Sequence, residues 1–471
     1  MHNNVIHNRS FLKQGSKADR FLEKQLGSRL FTYGQILKML LPLILDQLFV
    51  NVIGLLTTAM ISSSSQESVS AVSLVGPLYM MIYAIFSAIS VGGTVIVAQY
   101  KGRGDTDKIR QASGQVILAT VALAVISCMI LIPSSGYLIR LMFGAADEAV
   151  IYKATSYLVG VAISMIFLSL YMAAFGVFRG LGEAKTCLRL TVIINVIHLV
   201  ASLLFLNVLH LDIFGTTLSL NIARAIGGFA ALWLLMRPKS IVRVQVKNIF
   251  TIDRGLLKSI FKLGIPFAME QIFFNGGGLL VQTFIMELGT ISVAANAITG
   301  SAFSVLFAAG TAAGTLATTI VGQCAGTGDK KLARHYASKM IWLGTVMVLL
   351  SILIFLPLMP FILRMYQAPK DTLSLIYTLL FTVLVPMPFF WSASNVLPGV
   401  LRSTGDSAFT SMVSLITMWI VRVGLGYVFA MVLGFGVQGV WICMGIEWAV
   451  RTFIFYRRYR SDVWLYKKAI D

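Results

Sequence analysis

Charge is what this sequence has least of. Asp, Glu, Lys and Arg make up 12% of its 471 residues, where an ordinary soluble domain has about 25%, and that excludes a water-soluble globular enzyme. Acids are the scarcer sign, 19 against 38 Lys plus Arg, so each Asp or Glu inside an apolar stretch needs a physical reason. The four cysteines, Cys128, Cys187, Cys324 and Cys443, stand alone without CxxC or CxxH spacing; neither a disulfide framework nor a metal site is expected. Five histidines, mostly in loops or the N-terminal tail, supply no cluster of nucleophile, base or metal ligands within the apolar stretches. A membrane-embedded enzyme is therefore not expected. Residues 1–30 lack the apolar run and cleavage site of a signal peptide, so the first apolar stretch is expected to act as the insertion signal.

Hydrophobicity fills the gap. Apolar residues make up 57% of the chain and mean hydropathy is +0.83. Runs of at least about 20 apolar residues, enough for a helix to cross a hydrocarbon core about 30 Å thick, recur along it. The expected fold class is all-α: a polytopic membrane protein with twelve transmembrane helices. They fall near 34–61, 69–97, 112–136, 153–177, 186–209, 214–236, 257–286, 292–321, 336–361, 372–398, 408–433 and 437–457. The net charge of +19 lies in loops between spans rather than on one face, which reports topology and not a nucleic-acid partner. Basic residues cluster in every second loop, as in Lys101, Arg103, Lys108 and Arg110, then Arg179, Lys185 and Arg189, and later Lys330, Lys331 and Arg334. Intervening loops, such as Ser62 to Ser68, have none. The positive-inside rule then places both termini in the cytoplasm of a multi-pass protein of the cell membrane. Residues 1–33, which are basic, are expected against an anionic inner leaflet.

One stretch occurs twice. Pro42, Asp46, Gln47, Asn51 and Gly54 recur as Pro266, Glu270, Gln271, Asn275 and Gly278, 224 residues later. Within each copy Gln47, Asn51, Gly54, Thr58 and Gln271, Asn275, Gly278, Gln282 follow i, i+4, i+7, i+11 and share one helical face. The repeat continues: Gln99, Gly102, Gly104 and Asp105 return as Gln323, Gly326, Gly328 and Asp329, and Arg179, Gly182 and Glu183 as Arg402, Gly405 and Asp406. Two homologous six-helix lobes, 34–236 and 257–459, follow, joined by a cytoplasmic linker at 237–256 and closed by a tail at 460–471. An even number of spans per lobe relates them by an axis along the membrane normal, with a central cavity between. The GxGD turns lack the lysine and the preceding strand of a nucleotide loop. They are expected to be tight turns whose acid caps the next helix, so the energy for any transport has to come from an ion gradient.

Asp46 and Glu270 are the first candidates for function. An ionised carboxylate at mid-bilayer costs roughly 2.5–3.5 kcal/mol on insertion scales, so both are expected to face a protein interior or a watery cavity. There they either bind a proton or cation, or partner a backbone break or Arg422. Gln47, Asn51, Gln271, Asn275 and Gln282 fit hydrogen bonds to a ligand and equally fit interhelical contacts. The run Gly276 to Gly278 either loosens its helix or admits a neighbouring one. His198, flanked on its face by Asn195 and Ser202, fits a proton relay or a satisfied interior histidine. Glu447, Arg451 and Arg422 are expected to form a structural ion pair. Met387, Phe389, Phe390 and Trp391 beside Pro386 and Pro388 offer adaptable apolar contacts.

The paired GlnTyrLysGlyArgGlyAsp at 99–105 and GlnCysAlaGlyThrGlyAsp at 323–329 resemble the MATE (multidrug and toxic compound extrusion) family. So do PheArgGlyLeuGly at 178–182, LeuArgSerThrGly at 401–405 and the matched prolines. The run Val440 to Trp448 is similar to its bacterial multidrug-efflux branch. The resemblance implies two six-helix lobes and antiport of small molecules, often cationic drugs or metabolites, against Na+ or H+, with no other cofactor. A monomer in the lipid bilayer is the expected assembly. Where many members carry an aspartate late in the first helix this chain has Thr57, and a second acidic position of the family is Ser202, with His198 in place of an asparagine. The usual amino-lobe cation cage is thus incomplete. A lipid-linked precursor flippase on the same two-lobe plan and a gated channel are the rival transport readings.

Overall fold

In hydrocarbon a backbone has to satisfy its own hydrogen bonds, and a helix does so within one segment. The computed structural model describes residues 16–61, 65–144, 146–238, 240–365 and 369–470, and among them there are helices and no strands. Expectations for residues 1–15 and for the side chain of Thr58 lie outside the described residues.

A short helix, α1 (Lys17–Leu26), leads in, capped by the Ser16 hydroxyl, which accepts from the Asp19 amide. The N-lobe follows: α2 (Tyr33–Ile61), α3 (Gln66–Arg103), α4 (Thr106–Phe143), α5 (Glu148–Leu181), α6 (Ala184–Ser202, running on through Val208) and α7 (Asp212–Met236). A small helix in the linker, α8 (Val246–Phe250), lies on α4, where the Gln115 amide donates to the carbonyls of Asn248 and Thr251. The C-lobe comprises α9 (Arg254–Glu287), α10 (Thr290–Gly326), α11 (Lys330–Met365), α12 (Lys370–Leu384), α13 (Ser392–Ser403), α14 (Ser407–Thr417, running on through Val432) and α15 (Gly436–Arg460).

Nine helices among the described residues are long and apolar enough to span a membrane. A tenth span is broken: α12 and the segment Met387–Ser403 meet at a 44° bend, where Pro386 and Pro388 cannot continue the amide ladder. The remaining two, α9 and α15, have 34 and 25 residues but are diluted by Glu270, Gln271 and Asn275 and by Glu447 and Arg451. The spans too polar to pass on composition are the ones carrying the charges discussed below. All twelve expected spans are present, in two pseudo-symmetric lobes around a central cavity.

The lobes meet along α3 with α9, α3 with α10, and α2 with α10. Contact is closest at the end bearing Lys101 and Lys330. A Cβ at Gly102 would lie 1.8 Å from the Gln323 carbonyl oxygen, and one at Gly326 would lie 1.9 Å from that of Gln99. Each glycine lets the other lobe's backbone in. Each glutamine then reaches across: Gln99 Nε2 donates to the Ser403 carbonyl at 2.7 Å and Gln323 Nε2 to that of Gly180 at 2.9 Å. The repeated Gln-x-x-Gly is therefore a two-sided latch between the lobes. The glycine turns beyond it behave as expected, with Gly104 and Gly328 at φ 77° and 80°. Asp105 and Asp329 accept from the amides of Lys108 and Leu332 at 2.9 and 3.0 Å.

The described segments before α2 and after α15 also tie down at this face. Leu26 is buried, Lys339 of α11 donates to the Gly27 carbonyl at 2.7 Å, and Tyr336 hydrogen-bonds the Phe31 backbone. The segment after α1 thus docks on the C-lobe. After α15 the chain buries Trp464 completely, its indole donating to the Tyr459 carbonyl, and Ala469 and Ile470 join the apolar core of the N-lobe.

Candidate functional site

The duplicated acids each meet the duplicated arginine. On α9, one turn past Pro266, Glu270 is buried, and its Oε2 lies 2.5 Å from Arg402 Nη2 and accepts from the Ser411 hydroxyl at 2.9 Å. Arg402, in the last turn of α13, also donates from Nε to Thr410 Oγ1 and stands over the Phe267 ring at 4.2 Å. In the N-lobe Asp46, 2% exposed, has Oδ2 3.6 Å from Nη2 of Arg179, which closes α5 and stands over Phe175 at 4.1 Å. The Asp46 Oδ1 and the Arg179 Nε have no hydrogen-bond partner among the described residues. The N-lobe pair is looser than its counterpart. A buried ion pair holds only if geometry and hydrogen bonds repay the desolvation of both ions, and the Glu270 pair meets that condition better.

A cavity of about 470 Å³ opens at the lobe interface. Val91, Thr94 and Arg179 come from the N-lobe, and the rest of the wall is C-lobe. Its charged groups are Arg179, Glu270, Arg402, Arg422 and Arg451, and Gln271, Asn395 and several hydroxyls add neutral polar ones. Phe307 stacks on Trp391 at 4.6 Å between ring centres, and Trp448 meets both edge-on. Behind this wall Glu447, fully buried, lies 2.6 Å from Arg422 Nη2 and 3.3 Å from Arg451 Nη1, and Arg451 Nη2 donates to Ser414 Oγ. The expected Glu447 ion pair is present, and both its arginines face the cavity.

The other candidates divide. Gln271 lines the cavity, whereas Asn275 is exposed. Asn51 donates across the lobes to the Ser304 carbonyl at 3.0 Å, and Gln282 accepts from Asn296 at 3.2 Å, so both act as interhelical contacts here. Gln47 and Thr57 are half-buried on α2 outside the cavity wall. On α6, Asn195 bonds the Thr191 carbonyl of its own helix, Ser202 bonds Ser219, and His198 is half-buried; none of the three lines the cavity. Of the duplicated acids Glu270 lines it, while Asp46 reaches it only through Arg179. α9 is unbroken through Gly276 to Gly278, and a Cβ at Gly277 would lie 2.8 Å from Met418 Cε, which is the close-approach reading of that run.

In sequence Arg179 reads as a loop charge marking topology, and Arg402 as its repeat. Their recurrence one repeat apart, alongside acids that recur the same way, was the available signal for a pair. Arg224 was missed altogether. It is 8% exposed on α7, held by Ser164 Oγ at 2.5 Å and Tyr79 OH at 2.6 Å, with no carboxylate partner among the described residues.

A duplicated twelve-helix membrane bundle, with lobes latched at one end over a charged interfacial cavity, has the architecture of a membrane transporter. Comparison with known proteins gives the family. The MatE family model matches residues 42–204 and again 266–428, repeating the 224-residue offset, and the chain belongs to that family of multidrug efflux transporters. It is 24% identical over 431 residues to the uncharacterized transporter YisQ of Bacillus subtilis, covering 90% of this chain and 94% of that one. To the probable multidrug resistance protein NorM of Thermotoga maritima it is 22% identical over 446 residues, 91% of this chain and 92% of the relative. Among solved structures, the outward-facing conformation of a multidrug resistance MATE family transporter of the MOP superfamily superposes with a TM-score of 0.83. That match is at 18% identity, over 95% of this chain and 98% of the other, and it shows the shared fold.

Proposed function

We propose that the chain is a secondary antiporter of the cell membrane that exports amphipathic solutes in exchange for Na+ or H+ by alternating access. The observation that carries this reading is the acid–arginine pair repeated in the two lobes, with Glu270 and Arg402 in the wall of the cavity. On this reading Arg402 and the coupling ion compete for Glu270: a proton neutralises it, or Na+ displaces the guanidinium, and the freed arginine changes how α9 and α13 sit together. Asp46 and Arg179 do the same across α2 and α5. Coupling requires that cargo and ion disfavour each other's binding, since a ligand shifts a two-state equilibrium only by its differential affinity. Orientation follows from the basic loops, which put both termini and the Gln-x-x-Gly latch on the cytoplasmic side. The cavity is then sealed from the cytoplasm.

The test is flux in proteoliposomes of the purified chain, with Na+ and pH gradients imposed separately. One gradient is expected to drive accumulation of an amphipathic dye against its own gradient. Passive equilibration under both would remove the exchange mechanism and leave a channel.

A further inference from the structure

The cavity wall carries four guanidinium groups, Arg179, Arg402, Arg422 and Arg451, and one carboxylate, Glu270. Asp46 and Glu447 stand behind the arginines and complete three ion pairs or bridges. Three acids against four arginines leave the surroundings of the cavity positive. An organic cation entering this space meets a positive wall, and the one acid it reaches is already held by Arg402 and Ser411, a contact that only the small coupling ion competes for.

Hydrogen bonding points the same way. Nε of Arg179, of Arg422 and of Arg451 are buried with no acceptor among the described residues, against two carboxylate oxygens of the same pairs, Asp46 Oδ1 and Glu447 Oε2, with no donor, so donors are in excess. A buried donor left unpaired is costly, and guanidinium donors are matched in geometry by carboxylate, phosphate or sulfonate oxygens. Arg422 and Arg451 are bridged by a single carboxylate, Glu447, so they stand close enough to share a second anion on the cavity side. The rings of Phe274, Phe307, Trp391 and Trp448 also line the cavity, and the volume suits a small organic molecule.

Resting on the exporter reading, we propose that the cargo of this cavity is an amphipathic organic anion whose acidic head is held by Arg422 and Arg451 and whose apolar body lies against Phe307, Trp391 and Trp448. In a cell with an inside-negative membrane potential, export of an anion is itself favoured.

The experiment measures equilibrium binding to the detergent-solubilised full chain by fluorescence anisotropy, followed by flux in proteoliposomes. The probes are carboxyfluorescein, methylumbelliferyl phosphate and the cation ethidium. Carboxyfluorescein or the phosphate is expected to bind, the stronger of the two naming the headgroup, and ethidium is not. Arg422→Gln and Arg451→Gln should each weaken anion binding about tenfold or more. Glu447→Gln, which keeps both arginines and removes their competing carboxylate, should tighten it, a gain that a merely structural triad would not give. Ethidium binding in preference to both anions overturns the proposal and leaves the exporter reading intact. Anion binding that is indifferent to all three substitutions also overturns it. Arginine-dependent anion binding, with flux driven by no gradient or running in the direction of the ion, upholds the anion site and removes the exchange reading instead.

Discussion

Adding one methyl group at Gly102 tests the latch that closes the lobes. In the closed arrangement the new Cβ lands 1.8 Å from the Gln323 carbonyl oxygen, against a shortest real approach of 3.0 Å, so α3 and α10 have to part by more than ~1 Å. No side chain can swing aside, because the obstacle is backbone. Overpacking of this kind costs roughly 1–3 kcal/mol. The strain exists only while this end is shut, so Gly102→Ala should shift the closed–open equilibrium toward open by about 5- to 150-fold. Gly326→Ala, which meets the Gln99 carbonyl at 1.9 Å, should do the same from the other lobe. Gly276→Ala, where nothing lies within 4 Å, should do neither. Spin labels at Thr106→Cys and Lys331→Cys, one on each lobe and both exposed, report the separation by double electron–electron resonance. The native cysteines are buried. A longer-distance population is expected in both latch variants, and an unchanged distribution in a folded Gly102→Ala protein would refute the latch.

Other perturbations follow from burial. Arg402→Ala strands the Glu270 carboxylate and should destabilise the protein by about 3–5 kcal/mol, read as a lower melting temperature in detergent. The double variant with Glu270→Ala should recover much of that loss, and if it does not, the two side chains are not a pair. Trp464→Ala empties a fully buried site in the tail and should cost about 3–5 kcal/mol. A loss under 1 kcal/mol in chemical unfolding would mean that the tail does not hold the closed face together.

Topology was legible in the sequence because lipid leaves so few choices. A run of about twenty apolar residues in hydrocarbon has to be a helix, and the 224-residue offset marks out the two lobes. The GxGD turns were equally readable, since Gly104 and Gly328 need positive φ and Asp105 and Asp329 follow at the capping position. The partners of the acids were not legible. Arg179 and Arg402 lie near helix ends, where a basic residue ordinarily marks the cytoplasmic face, and only tertiary packing turns them inward onto Asp46 and Glu270. Distance along the chain also hid the depth of each residue. Asn51, Gln282, Asn195 and Ser202 share helical faces with plausible ligands, yet their hydrogen bonds go to neighbouring helices or to their own backbone. The polarity of the cavity was hidden for the same reason, because Arg422, Arg451 and Arg402 come from three helices whose convergence no local pattern encodes.

The repeated acid–arginine pair is tested most directly by gradient-driven flux in proteoliposomes of Asp46→Asn and Glu270→Gln, each checked for folding by its melting temperature. Glu270→Gln is expected to abolish accumulation of the dye against its gradient while leaving dye binding measurable, and Asp46→Asn to reduce accumulation. Full gradient-driven accumulation in both variants would contradict the role assigned to these carboxylates.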